Sequence, residues 1–87
     1  MEAVETRVAV IAIIVREGTQ VAALNDLLHQ YGPYIVGRMG VPYREKGVNI
    51  ISVAMDAPGD VISALSGKRG RLEGVTAKTV YAPAGSV

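Results

Sequence analysis

Few side chains in this sequence can do chemistry, and their scarcity narrows the chemistry at once. His29 is the sole histidine, and cysteine is absent. Without a thiolate there is no disulfide, no Cys-ligated zinc, no iron–sulfur cluster and no cysteine nucleophile. One imidazole cannot anchor a multi-histidine site, so no metal and no other cofactor is expected. A triad around His29 would need a nucleophile and an orienting acid at distances the sequence does not give. His29 follows Asn25 by four residues in a helical pattern, which suits a polar helix side or an interface hydrogen bond.

Arg38 is the more interesting cation, because Gly37 and Gly40 beside it leave room for a ligand or a partner to approach. A guanidinium there can hold a carboxylate, a phosphate or a partner's acidic side chain through two parallel hydrogen bonds. Its plain alternative is a solvated arginine that discourages pairing at a sheet edge. Arg38 and Tyr43 flank a glycine-and-proline segment that cannot pack tightly by itself. Lys68, Arg69 and Arg71 form a second basic group, two of which a helix C-terminus accounts for without any ligand. Tyr31, Tyr34, Tyr43 and Tyr81 suit core margins or interfaces better than stacking platforms.

The elements that must position these groups follow from 87 residues, 49% of them hydrophobic, which is enough for one core and too little for two. We expect a single domain over 1–87, with its core about 7–82 and a frayed tail at 83–87. A strand over Arg7–Val15 is apolar on both faces, with Val8, Val10, Ala12 and Ile14 on one and Ala9, Ile11, Ile13 and Val15 on the other. Thr19 is placed to cap a helix whose apolar positions Val21, Leu24, Leu28 and Tyr31 recur at helical spacing, and Gly32–Pro33 stops it. Tyr34 to Gly40 reads as an edge strand that its glycines weaken or bulge, and Val41 to Gly47 as a loop. Val48 to Met55 gives a third strand. A second helix begins near Pro58, carries Val61, Ile62 and Leu65, and stops at Gly70, with Gly67 an interior exception or an earlier stop. Val75 to Tyr81 closes with a fourth strand.

The order β-α-β-β-α-β places both helices on one face of a four-stranded antiparallel sheet, with the first and third strands inside. Two helices cover one face only, so the second apolar face of the first strand needs another cover. A second copy of the chain is the economical one, and a homodimer or homotetramer is expected.

Other signatures fail. Gly70–Val75 (GRLEGV) is similar to the anion-cradling loop of acylphosphatases but precedes the last strand instead of following the first. Gly67–Arg69 lacks the P-loop's preceding glycine, having Ile62 there, and its Ser or Thr, having Arg69. RNA recognition by this topology needs aromatics on the central strands, which carry none, and a net charge of +1 offers no field for nucleic acid. Direct nucleic-acid binding is therefore disfavoured. The longest apolar run, Val8–Val15, is eight residues long, and Glu2 and Glu5 precede it, so neither a membrane span, which needs roughly 20 residues, nor an export leader is expected. A reducing cytoplasm fits.

The stretch LNDLLHQYGPYIVGRMGVPYREKGVNIISV, Leu24 to Val53, followed by ISALSGKRGRLEGVTAKTVYA, Ile62 to Ala82, closely resembles a family of small regulators assigned to iron-only hydrogenase systems. The segments LLHQY, GRMGVPY and ALSGK carry it jointly. That family is similar to the ACT domain and to the C-terminal domain of the nickel-responsive regulator. The resemblance implies an α+β, ferredoxin-like (ACT-like) fold and a homo-oligomer. It also implies a regulatory module without catalysis that binds a small effector or a protein partner at subunit interfaces, a transcriptional role being part of the family's assignment. Leu27, Leu28, His29, Gly37, Arg38, Gly40, Pro42, Tyr43, Gly67, Lys68 and Lys78 fall on the family's recurring pattern. The candidate binding residues are accordingly His29, Arg38, Gly40, Tyr43, Gly67 and Lys68. Nickel binding does not carry over, because the relatives use several histidines and a cysteine. The competing expectation is a small dimeric enzyme with His29 or Tyr43 as acid–base group in an interface cleft.

Overall fold

A computed structural model describes residues 5–16, 21–69 and 74–83, the side chains of 68 and 69 excepted. Its elements are β1 (Arg7–Arg16), α1 (Val21–Gln30), a short 3-10 turn at Gly32–Tyr34, β2 (Ile35–Tyr43), a second at Arg44–Lys46, β3 (Val48–Ala57), α2 (Gly59–Arg69) and β4 (Val75–Tyr81). The four strands form one sheet in the order β2-β3-β1-β4, and every neighbouring pair is antiparallel. This is the ferredoxin-like α+β arrangement, with β1 and β3 central and β1 apolar on both faces as a central strand's sequence is.

Residues of β1 alternate strictly. Ala9, Ile11, Ile13 and Val15 are buried with Ile51, Val53, Met55 and Ala57 of β3, and Leu24, Leu28, Ile62 and Leu65 bring the helices onto them. Each large aliphatic side chain so buried stabilises the fold by about 1.5–3 kcal/mol relative to exposure. The even-numbered residues of the same strands point to the other face, where Val10, Ile14 and Ile50 stay exposed. No element of the described chain lies over them.

The helix boundaries have local causes. Gly32 and Pro33 end α1 in a 3-10 turn, with the Tyr34 amide donating to the Tyr31 carbonyl at 2.9 Å. The Pro58 carbonyl accepts from the amides of Val61 at 3.0 Å and Ile62 at 3.2 Å, so the proline opens α2 where its missing N–H is no loss. Asp60 in the first turn complements the helix dipole. Gly67 lies inside α2, not at its end. The expected cap at Thr19 and stop at Gly70, like the Arg71 of the second basic group, fall outside the described residues.

The edge strand is longer than the sequence pattern suggests. β2 continues through Val41 and Pro42 to Tyr43, pairing Pro42 with Asn49, and the loop shrinks to Arg44–Gly47. An edge strand tolerates proline because only one of its sides needs a full ladder of donors. Gly47 completes the turn in the left-handed region, at φ 65° and ψ 36°.

Candidate functional site

β2 carries a bulge that decides where its side chains go. Ile35 pairs with Met55 and Gly37 with Ala54, leaving Val36 as the extra residue. An extra residue inverts the alternation of everything that follows it. Ile35 packs against the core on the helix side, yet beyond the bulge it is the even residues that share this side. Arg38, paired with Val53, and Gly40, paired with Ile51, therefore face α1. Met39, paired with Ser52, Val41 with Ile50 and Tyr43 with Val48 face the open side.

Arg38 reaches α1 directly: its Nη2 donates to Asn25 Oδ1 at 3.1 Å. Between the helix and the strand lies an open cleft of about 260 Å³, lined by Val21, Asn25, Arg38, Gly40, Pro42, Ile51 and Asn49 among others. Arg38 is the one charged residue in this lining. Two of its features have no explanation within the chain. Half-buried Asn49 makes no side-chain hydrogen bond among the described residues. A Cβ built on Gly40 meets nothing within 4 Å, and Gly40 has no positive φ, so neither packing nor backbone conformation calls for glycine there.

The other candidates lie elsewhere. Tyr43 stands on the opposite face of β2 from Arg38, and its hydroxyl donates to Glu45 Oε2 at 3.5 Å. His29 is exposed in the last turn of α1 and does not line the cleft. Gly67 is exposed on α2, and the Lys68 side chain lies outside the described residues. Of the six residues singled out in the sequence, the cleft gathers Arg38 and Gly40. Asn25 and Asn49 join them unforeseen. Asn25 had a usable signal, since helical spacing put it on the polar side of α1, but only the bulge at Val36 reveals which residue it meets. Among the described residues no three His, Asp or Glu side chains gather as a metal would need. No helix among them is long and apolar enough to cross a membrane.

Residues 7–79 match the model of a family described as "TM1266-like: Iron-only hydrogenase system regulator, putative". The chain belongs to the TM1266-like family. Among solved structures it is similar to the uncharacterized protein TM1266 from Thermotoga maritima, at 37% identity and a TM-score of 0.85, over 88% of this chain and 98% of that one. No curated protein matches. The family match runs from Arg7 at the start of β1 to Thr79 within β4, so it bears on the sheet, the cleft and the open face together.

Proposed function

We propose that this TM1266-like chain is a non-catalytic regulatory module of an iron-only hydrogenase system, working as a homo-oligomer that responds to a small effector held in the α1–β2 cleft. The observation that carries the reading is the open sheet face. Val10, Ile14, Met39, Val41, Ile50 and Val80 stand together on it, Met39 62% and Val80 66% exposed. Four strands at sheet spacing and about ten residues of length make a face of roughly 600 Å², near the ~800 Å² that each partner buries in an ordinary stable interface. Charged groups keep to its margins, with Asp56 at one end, Arg16 at the other and Lys78 on the β4 edge. A second copy supplies the same apolar surface, which is the self-complementarity a two-fold interface needs.

The cleft lies on the helix side of β2, so assembly through the open face leaves it accessible. Effector binding and assembly then occupy opposite faces of one edge strand, and the strand couples them. The alternative, a small dimeric enzyme with His29 or Tyr43 in an interface cleft, would draw on Tyr43 of the open face and not on the α1–β2 cleft, which neither residue lines. The family's description as a regulator favours the same reading.

Native mass spectrometry of protein taken gently from its own cells tests it. The reading expects multiples of 9.1 kDa carrying a retained small molecule. A bare monomer overturns it.

A further inference from the structure

We propose that the α1–β2 cleft is a carboxylate site for a small aliphatic acid: the Arg38 guanidinium holds the carboxylate, the Asn25 and Asn49 amides complete its hydrogen bonds, and Val21, Pro42 and Ile51 receive the apolar body. The proposal rests on the reading that the cleft takes an effector. It does not rest on assembly through the open face.

The donors point to a planar oxyanion. Arg38 has five N–H donors, and the bond to Asn25 uses one on Nη2, which fixes the guanidinium while leaving donors free to bind bidentately. Accepting that bond through Oδ1 leaves the Asn25 Nδ2 protons for a second acceptor. The Asn49 amide is half-buried and unpartnered among the described residues, so it is free to hydrogen-bond an occupant. Among the described residues, Arg38 has no carboxylate of the chain to neutralise it.

The walls narrow the class further. A lone cation in the lining suits a single negative charge better than a phosphate dianion. Val21, Pro42 and Ile51 offer an apolar remainder, and about 260 Å³ admits a molecule of a few carbon atoms. Gly40 keeps this space open, because any side chain there projects into room that no other atom of the described chain fills. A space of this size matches a free acid of a few carbon atoms, and a capped glutamate distinguishes it from the side chain of a docked protein.

The test follows two-dimensional NMR spectra of the full chain during titration with isobutyrate, with isobutyramide, inorganic phosphate and an N-acetylated, C-amidated glutamate as comparisons. We expect saturable shifts of the Asn25 and Asn49 side-chain amides and the Arg38 Nε–H with isobutyrate. Isobutyramide, which lacks the charge, should bind at least about tenfold more weakly, as losing one charge-assisted hydrogen bond implies. Arg38→Gln should weaken isobutyrate by a similar factor, and Gly40→Val should abolish its binding, while both variants keep the sedimentation of the parent and stay folded, Arg38→Gln losing no more than the worth of its bond to Asn25. Equal shifts from acid and amide, or unchanged binding in both variants, overturn the proposal. Tighter binding of phosphate overturns the carboxylate class, and tighter binding of the capped glutamate overturns the free acid in favour of a protein side chain. Loss of the cleft's binding with assembly intact removes this proposal alone, whereas a monomer that still binds isobutyrate removes the assembly reading alone.

Discussion

The Arg38 guanidinium ties edge strand β2 to helix α1 by donating to Asn25 Oδ1 at 3.1 Å, across 13 residues of sequence. One extra residue upstream makes this possible. Were Val36 not bulged, the alternation that seats Ile35 on the helix side would send Arg38 to the open face and Met39 toward the helices. The bulge thus sorts a cation into a cleft and apolar side chains onto the open face within the same strand.

Removing the acceptor should loosen Arg38 without unfolding the chain. Both groups are exposed, so Asn25→Ala is expected to lower stability by no more than about 1 kcal/mol, the net worth of one such hydrogen bond. Urea denaturation checks it. A loss several times larger would mean that the bond organises the edge strand itself.

Ile50 and Ile51 are neighbours with opposite fates, 43% and 6% exposed. Ile50→Glu should leave the secondary structure intact and act on assembly alone. Ile51→Glu buries an unpaired carboxylate in the core and should prevent folding or cost several kcal/mol. Circular dichroism of the two variants separates them, and equal damage would contradict the assignment of faces.

A similar contrast holds on α1. Leu28→Ala opens a cavity beneath the helix and is expected to cost about 2–5 kcal/mol. His29→Ala, one position on, removes an exposed ring and should leave the denaturation midpoint where it was.

The part-buried hydroxyls of Ser66 and Thr79 meet at 3.1 Å and pin α2 to β4. Ser66→Ala leaves the Thr79 hydroxyl without this partner, so about 1 kcal/mol should be lost. Adding Thr79→Val removes the orphaned group and should recover part of that loss. A double-mutant cycle in guanidinium chloride measures the coupling, and additivity of the two changes would show that the contact contributes nothing.

Most of the fold was written in periodicity. Val8–Val15 declares both its faces apolar, which forces a central strand and an uncovered side, and Val75–Tyr81 is bounded as its pattern implies. The end of β2 was hidden because Pro42 reads as a breaker, and only an unpaired edge lets it stand in a strand. The site was half legible. Gly37 and Gly40 announced a bulge or an approaching group, but the bulge falls at Val36, and a displacement of one residue decides which face each side chain joins. For that reason Arg38 and Tyr43, close in sequence, part to opposite sides, and Asn49 from the next strand enters the cleft unannounced.

Sedimentation equilibrium at micromolar concentration, run on the parent chain and on Ile50→Glu, tests the central claim most directly. The account predicts a dimer or tetramer for the parent and a folded 9.1 kDa monomer for the variant. A parent chain that sediments as a 9.1 kDa monomer, with its apolar face open to solvent, would contradict it.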